Sequence, residues 1–427
     1  MESTAPISRY GRLAGDLVLV GRGDPNLSGR PVPYRAGPQR GATDVILQEL
    51  ADQLVAHGLK LVMGDIVGDD SYFVWEPYSS GWSWDDLMWD SGAPVSALSL
   101  NDNLISVTLH PGHRVGVPVE MELAPDLDYY KIDNRAVTAA ARSGPRRVGL
   151  HREPGGRTLI IWGSVPMGDA GATHYITIQD PAEYAARQLR ELLKERGVRV
   201  LGHARAQHTE MMALPLPKPG EKPQPTPPQP LAGPEPPAPG TQVLAEHVSL
   251  PLIIDLKITD KVSQNLHAEM LLRLMGKLRG ESASLEGGIN LERWWLEQAG
   301  AKPEEFAIAD GSGLSRLDLV SPHAIVTLLR YAQTQPWGAQ YWDLLPAGGV
   351  DGTLTDRFKS PVLAGRVQAK TGTLEHVNAL SGYLTTSSGR RLAFSIFCNN
   401  HTAGAHQAVE VIDAIVTAVV DDGAPAQ

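Results

Sequence analysis

Twelve of the chain's 33 prolines fall in one short stretch, between Pro215 and Pro239. Each proline removes a backbone N–H donor, so this stretch cannot form a helix or the interior of a sheet. We therefore predict that residues 213–242 form an extended, solvated linker or long surface loop between two globular parts of the chain. Binding of the prolines to a proline-recognising module is an alternative, but no other feature of the sequence supports it.

Apolar periodicity on both sides of this stretch predicts ordinary globular structure. Before it, strand patterns occupy residues 13–21, 59–67, 104–123, 158–162 and 172–178, and helices are predicted at 43–57 and 181–197. After it, residues 252–279 form one long helical pattern, followed by helices at 291–299, 322–333 and 405–420. Residues 377–385 and 391–399 are predicted strands, and a polar Ser-Ser-Gly turn joins them.

Residues Lys370 to Thr373 place a cation, a glycine and two hydroxyl groups on one predicted strand. A fixed ammonium lowers the pKa of neighbouring groups and attracts a carboxylate. Gly372 has no side chain, so the backbone of a substrate can lie against the strand and hydrogen-bond to it. With the hydroxyl groups of Thr371 and Thr373, this pattern suits a site for the C-terminal carboxylate of a peptide. An isolated Lys-Thr-Gly triplet also fits a solvated turn.

Ser263 and Asn265 stand two residues apart, near the start of a run of helix-forming residues. Both side chains can enter one cleft only where the backbone is irregular or where a helix begins. A serine hydroxyl can pass a proton to a leaving group, and an asparagine amide can hold both a lysine and a substrate amide. An ordinary helix cap is the alternative interpretation of this pair.

Composition excludes several classes of function. The formal net charge of −10 leaves no basic surface for nucleic acid. No apolar run approaches the length of a membrane span, and the first residues show no export signal. The single cysteine, Cys398, excludes an internal disulfide and fits a buried strand position better than a reactive thiol.

Four weaker patterns allow a functional interpretation, and in each we expect the structural one. His110 and His113 flank a turn without an evident third metal ligand, and the glycines at 21 and 23 lack the third glycine of a dinucleotide site. Asp69 and Asp70 are expected to be solvated carboxylates rather than a catalytic pair. The tryptophans at 75, 82, 84 and 89 are expected to pack under a long loop rather than to stack on a glycan.

The sequence around these motifs resembles the class C low-molecular-mass penicillin-binding proteins, which are D-alanyl-D-alanine carboxypeptidase/endopeptidases. The resemblance rests on residues 261–269, 310–316, 345–354, 369–374 and 380–383, with further similar stretches at 15–25, 64–71, 93–98 and 133–136. It covers nearly the whole chain, with several separate motifs in the family's order.

The resemblance implies an α/β (α+β) architecture. A β-lactamase/transpeptidase-like domain, an antiparallel sheet flanked by helices, would occupy residues 243–427 and lack its N-terminal segment. Residues 1–30 and 101–212 would form a strand-rich accessory domain, and residues 31–100 a second one nested in it. Periplasm or cell envelope is the implied location.

The implied chemistry is hydrolysis of D-alanyl-D-alanine bonds or peptide cross-links through an acyl-serine, without metal or cofactor. Its implied partners are peptidoglycan stem peptides and β-lactams. Ser263 would relay the proton and Asn265 would orient the substrate. Lys370, Thr371 and Thr373 would bind the terminal carboxylate, and the Thr373 N–H would complete the oxyanion hole.

Two departures from the family pattern stand out. Gln264 occupies a position where the family usually has Asp, which we treat as minor. The nucleophile motif Ser-x-x-Lys is absent, since no serine of the sequence has lysine three positions later. In the family this motif lies upstream of the strand that begins here near Gly15. A misplaced gene start and a shortened pseudoenzyme both account for its absence. We expect the first, because loss of the central helix would expose a large apolar surface.

The chain as written is therefore expected to be inactive. A non-catalytic envelope protein that binds peptidoglycan peptides is one alternative function. A β-lactamase or esterase of the same superfamily is another, although compact β-lactamases lack the long accessory segments.

Overall fold

The computed structural model describes residues 1–36, 41–214, 224–231, 233 and 235–421. The helices in this part of the chain are α1 (Val45–Ala56), α2 (Pro181–Glu195), α3 (Leu252–Val262), α4 (Asn265–Arg279), α5 (Leu285–Gln298), α6 (Pro322–Thr334), α7 (Gly338–Leu344) and α8 (Ala405–Asp421). Among these described helices, none combines the length and the apolar character that crossing a membrane requires.

The strands of the same residues fall into six small sheets. They are β1 (Glu2–Ser3), β2 (Arg12–Leu13), β3 (Leu17–Val20), β4 (Leu61–Val62), β5 (Ile66–Val74), β6 (Leu104–His110), β7 (Glu120–Ala124), β8 (Lys131–Asn134), β9 (Val137–Ala139), β10 (Arg147–His151), β11 (Thr158–Pro166), β12 (Ala172–Thr177), β13 (Arg199–Val200), β14 (Ala204–Thr209), β15 (Gln242–Val243), β16 (Phe306–Ala307), β17 (Leu319–Val320), β18 (Val367–Leu374), β19 (Val377–Thr385) and β20 (Arg391–Asn399).

The part of the chain before the proline-rich stretch is rich in strands, as predicted. The largest sheet has the order β14-β5-β3-β1-β15, in which β15 alone comes from the chain after the prolines, and helix α2 packs against β5 and β14. Helix α2 begins where Asp180 accepts a hydrogen bond from the Glu183 N–H at 2.9 Å, with Pro181 in the first turn. Its apolar stripe, which includes Tyr184 and Leu189, is fully buried in the largest apolar core of the described residues.

The prediction of an antiparallel sheet flanked by helices is confirmed. Strands β18, β19 and β20 pair in sequence order, each antiparallel to the next. Because side chains alternate across a strand, Leu380 and Leu384 of β19 lie in one core with Ile412 of α8. Tyr383 lies on the opposite face, in a core with Leu329 of α6. Strand β18 forms one end of this sheet, and it carries the Lys-Thr-Gly motif.

The long helix predicted over residues 252–279 is interrupted, and this expectation was wrong. Helix α3 ends at Ser263, which has left-handed backbone angles of φ 60° and ψ 56°. Gln264 then caps α4, since its side-chain oxygen accepts a hydrogen bond from the Leu266 N–H at 2.9 Å. The break gives the Ser-Gln-Asn segment the irregular backbone that two convergent side chains require.

Two further boundaries differ from the predictions. The single strand expected at 59–67 is two strands, β4 and β5, that belong to different sheets. They separate at Gly64, where a Cβ atom would lie 2.2 Å from Asp16 Oδ1, so the close crossing of the chains there requires glycine. Helix α5 begins at Leu285 rather than at 291, because Ser284 accepts a hydrogen bond from the Gly287 N–H at 3.0 Å.

The regions on either side of the proline-rich stretch are in direct contact. Phe73 and Val95 from the first share an apolar core with Leu266 and Met270 of α4. The described part of the stretch contacts both regions: the Thr226 N–H donates to the Asn290 carbonyl at 3.0 Å, and Arg22 Nη1 donates to the Glu235 carbonyl at 3.0 Å. Residues 215–223, 232 and 234 of the predicted linker lie outside the described residues. The domain boundaries given above remain a prediction.

The tryptophans of residues 75–89 differ in their environments. Trp75 stacks on His208 with ring centroids 4.2 Å apart, and the Trp82 Nε1–H donates to Asp310 Oδ2 at 2.8 Å. Both rings have partners inside the structure, but these partners are distant in the sequence rather than local. Trp84, in contrast, is 64% exposed.

Candidate active site

Lys370 is the central residue of the candidate site. It lies on β18, and its Nζ donates to Ser263 Oγ at 2.7 Å and to the Thr371 carbonyl at 2.8 Å. Burial lowers the pKa of Lys370 from its usual value, an effect that the nearby carboxylate of Asp260 opposes. The ammonium is therefore held in place by oxygen acceptors in a partly dehydrated position.

The edge of β18 differs between its two halves. Near its start, Gln368 forms a bridge with Ala347, and the Ala369 N–H donates to the Pro346 carbonyl at 2.9 Å. From Lys370 to Leu374, strand β19 is the only strand of the described residues that pairs with β18. The other backbone edge of these residues can therefore pair with an extended peptide. We call Ser263 and residues 370–373 at this edge the edge site.

The two threonines of the edge site lie on one face of β18, because residues two apart in a strand share a face. Thr371 Oγ1 donates to Thr353 Oγ1 at 3.0 Å, and Thr373 Oγ1 accepts from Asn378 Nδ2 at 3.3 Å. Between them, a Cβ atom added to Gly372 would meet only Ala379 Cβ, at the ordinary contact distance of 3.5 Å. Internal packing therefore does not require glycine at this position, whereas close approach of a ligand backbone would.

Ser263 and Asn265 lie at the junction between α3 and α4, but their contacts differ. Ser263 Oγ accepts from Lys370, as described above. Asn265 is the first residue of α4, and its Nδ2 donates to the Ser91 carbonyl at 3.0 Å. The structure therefore joins Ser263 to Lys370 and joins Asn265 to a turn of the region before the proline-rich stretch.

A second lysine, Lys261, is buried next to the junction between α3 and α4. Lys261, in the last turn of α3, is 4% exposed, and its Nζ donates to Asp351 Oδ1 at 2.7 Å and to the Leu345 carbonyl at 2.6 Å. Burial raises the pKa of Asp260 to about 6, while Lys370 and Lys261 act in the opposite direction. The protonation of Asp260 therefore changes the net charge beside Lys370 near neutral pH.

Sequence reasoning missed several partners of these residues. Thr353 and Asp351 lie within the family-like stretch 345–354, but nothing in that stretch indicates which side chain it contacts. Asn378 could have been found, because the hairpin register pairs it with Thr373 across the turn. Its next neighbour, His401, follows β20 and has no sequence signal of its own.

Comparisons with known proteins identify the family of the chain. A sequence model of the D-Ala-D-Ala carboxypeptidase 3 (S13) family matches residues 4–223 and 232–420. The D-alanyl-D-alanine carboxypeptidase of Actinomadura sp. (strain R39) is 33% identical over 418 residues, which are 95% of this chain and 69% of that protein. The D-alanyl-D-alanine carboxypeptidase DacB of Haemophilus influenzae is 28% identical over 403 residues, or 92% of this chain and 74% of the relative.

The fold is also similar to a solved structure. The crystal structure of penicillin binding protein 4 (dacB) from Haemophilus influenzae matches with a TM-score of 0.76 and 25% identity, and the match covers 98% of this chain and 84% of that one. The resemblance predicted from the separate sequence motifs is confirmed by these matches.

Proposed function

Because the chain belongs to the D-Ala-D-Ala carboxypeptidase 3 (S13) family, we propose that its edge site binds the free D-alanyl-D-alanine end of peptidoglycan stem peptides. By family the protein is a serine-type D-alanyl-D-alanine carboxypeptidase. The observation that carries the proposal is the 2.7 Å hydrogen bond from Lys370 Nζ to Ser263 Oγ at an edge of β18 that is open to an extended peptide. The implied location is the periplasm or cell envelope, where this ligand occurs.

Each group of the edge site has a role in this proposal. The Lys370 ammonium attracts the terminal carboxylate, and the Thr373 hydroxyl donates a hydrogen bond to it. The Thr371 hydroxyl would donate to it as well after turning away from Thr353 Oγ1, its acceptor in the free site. The ligand backbone pairs with the edge of β18 beside Gly372. β-Lactams would bind here for the same reason, since they also carry a carboxylate next to an amide.

The remaining roles concern acyl transfer. Ser263 is suited to pass a proton to the leaving group, because the adjacent ammonium stabilises the negative charge that develops on its oxygen. Asn265 would orient the ligand, and the Thr373 N–H would donate to the oxyanion. No serine of the sequence has the Ser-x-x-Lys spacing of the family nucleophile. We therefore infer that the chain as written binds the peptide without forming an acyl-serine.

Two measurements on the full chain test this proposal. Titration with Nα,Nε-diacetyl-L-lysyl-D-alanyl-D-alanine, followed by calorimetry or NMR, should detect saturable binding. The matched peptide ending in a C-terminal amide should bind much more weakly. Incubation with a fluorescent penicillin, followed by denaturing electrophoresis, should leave the chain unlabelled. Equal affinity for the acid and the amide would overturn the carboxylate site, and a stable covalent adduct would overturn the non-acylating role.

A further inference from the structure

Thr373 is connected to a histidine outside the family motif. Asn378, which is 1% exposed, lies directly across from Thr373 in the β18–β19 hairpin. Its Nδ2 donates to Thr373 Oγ1 at 3.3 Å, and its Oδ1 lies 2.9 Å from His401 Nε2. A short chain of hydrogen bonds therefore runs from His401, in the segment after β20, to a hydroxyl group of the edge site.

The second ring nitrogen of His401 fixes one proton. His401 Nδ1 lies 3.0 Å from the Ala403 carbonyl oxygen, which can only accept a hydrogen bond. Nδ1 therefore carries a hydrogen in every protonation state of the ring. The only variable position is Nε2, and this is the nitrogen that faces Asn378.

The proton on Nε2 determines which group donates and which accepts in each hydrogen bond between His401, Asn378 and Thr373. When Nε2 is protonated it donates to Asn378 Oδ1, which leaves Asn378 Nδ2 to donate to Thr373 Oγ1, the arrangement that the structure has. The Thr373 hydroxyl hydrogen then points away from Asn378 and can donate to a ligand.

When Nε2 is unprotonated it can only accept. The Asn378 amide must then exchange its oxygen and nitrogen so that Nδ2 donates to His401. Its oxygen now faces Thr373 and takes the hydroxyl hydrogen. A carboxylate at the edge site would lose that donor and meet an oxygen lone pair instead, which is unfavourable.

We propose that His401 is a positioning residue that controls, through Asn378, whether the Thr373 hydroxyl donates to the carboxylate of a bound ligand. This inference rests on the proposed function, since the ligand is the same D-alanyl-D-alanine end. Since a histidine ring gains its second proton as pH falls, carboxylate recognition should strengthen with falling pH and weaken with rising pH.

Other titratable and charged groups lie around His401. The His376 Nδ1–H donates to the His401 carbonyl at 2.9 Å, and His376 Nε2 lies 3.6 Å from Glu375. Arg316 donates to the Glu375 carbonyl at 3.4 Å, and the exposed pair His406 and Glu410 lies on α8. None of these lies between His401 and Asn378, so the substitution of His401 itself isolates the effect.

The test compares the wild-type chain with His401→Gln and His401→Ala. A glutamine amide nitrogen can donate to Asn378 Oδ1 at any pH, whereas alanine cannot. We measure the affinity for Nα,Nε-diacetyl-L-lysyl-D-alanyl-D-alanine and for its C-terminal amide from pH 5.5 to 8.5. The ratio of the two affinities should fall by about tenfold with rising pH in the wild type. In His401→Gln this ratio should stay close to the acidic wild-type value, and in His401→Ala it should be low throughout.

Titration of Asp260 also affects Lys370, but it does so equally in the wild type and in His401→Gln, so the difference between them reports on His401. Identical pH profiles for these two proteins would overturn the inference. Absence of any binding by the wild type would overturn the proposed function, and the ligand part of this inference with it.

A measurement without ligand separates these two failures. In the free protein, the side-chain amide resonances of Asn378 should shift with pH together with the ring resonances of His401, and this shift should vanish in His401→Gln. A side-chain amide that does not respond to His401 would overturn the coupling whether or not the ligand binds.

Discussion

The ammonium of Lys370 lies 2.7 Å from the hydroxyl of Ser263, although 107 residues separate them in the sequence. The contact joins an edge strand to a helix junction, and neither element carries a complete site alone. Burial lowers the pKa of Lys370 because the charged form loses water. A negatively charged ligand that approaches the free edge of β18 therefore meets a cation that is incompletely solvated and already oriented.

Substitution of Lys370 should remove carboxylate recognition selectively. Lys370→Met keeps the length of the side chain but not its charge. A charge-assisted hydrogen bond contributes about 1.5–3 kcal/mol, so the affinity for a D-alanyl-D-alanine peptide should fall by roughly 10–100-fold in calorimetric titration. The affinity for the C-terminal amide should change little. Lys359→Met is the matched control, because Lys359 is 61% exposed and pairs with Asp356 at the surface. A similar loss for the amide would contradict a carboxylate role.

Two substitutions of Ser263 should distinguish the contribution of its hydroxyl group from that of its left-handed backbone conformation. Ser263 has φ 60°, a left-handed conformation that costs an ordinary residue about 1 kcal/mol and costs glycine almost nothing. Ser263→Gly and Ser263→Ala both remove the acceptor of Lys370. In urea denaturation, Ser263→Gly should be more stable than Ser263→Ala by about 1 kcal/mol. Equal stability would show that the left-handed geometry is not retained in the variants.

The left-handed Ser263 also shows where sequence reasoning stopped. The apolar runs at 377–385 and 391–399, joined by a polar Ser-Ser-Gly turn, predicted β19 and β20 correctly. Apolar residues at helical spacing continue on both sides of Ser263, so the pattern predicted an unbroken helix through it. The break depends on contacts with distant residues, among them the bond from Lys370, and only the folded chain supplies these. The contacts of Thr371 with Thr353 and of Asn265 with Ser91 were inaccessible for the same reason.

A buried ion cluster should couple the two parts of the chain. His267 of α4 is fully buried, with Nδ1 2.8 Å from Asp255 Oδ1 of α3 and Nε2 3.3 Å from Asp102 Oδ1 of the region before the proline-rich stretch. Burial alone would lower the pKa of His267, but the hydrogen bonds to Asp102 and Asp255 outweigh it and raise that pKa. The cluster therefore holds a cationic imidazole between two carboxylates.

Replacement of His267 by phenylalanine should leave Asp255 buried without its cation, whereas Asp102 keeps its ion pair with Arg30 at 2.6 Å. We expect a loss of about 3–5 kcal/mol in the free energy of unfolding at pH 6. Because the pKa of His267 is raised by folding, its contribution is complete below the pKa of an unfolded histidine, about 6.5, and is lost as pH rises through the folded value. Denaturation of wild type and His267→Phe across this range measures the effect. A stability difference that does not shrink at high pH would contradict the cationic state.

A half-buried acid, Glu292, should weaken the fold as pH rises. Burial raises the pKa of Glu292 to about 7, and the negative charges of Asp310 and Glu269 act in the same direction. Asp318 lies in the same cluster, and burial followed by its hydrogen bond with Asp310 raises its pKa as well. Both acids bind protons more tightly in the folded state than in the unfolded chain. Their favourable contribution is therefore complete at acidic pH and decreases as pH rises toward and through the folded pKa values.

Glu292→Gln should remove the part of this pH dependence that belongs to Glu292, since glutamine resembles the protonated acid. At pH 8 the free energy of unfolding of the variant should exceed that of the wild type by about 2 kcal/mol, so the variant is more stable there. At pH 4.5 the two values should be similar. Glu281→Gln provides the control, because Glu281 is exposed and its substitution should leave the profile unchanged. A Glu292→Gln variant that is less stable than the wild type at pH 8 would contradict this prediction. That result would mean that the Glu292 carboxylate is ionised and paired in the folded protein.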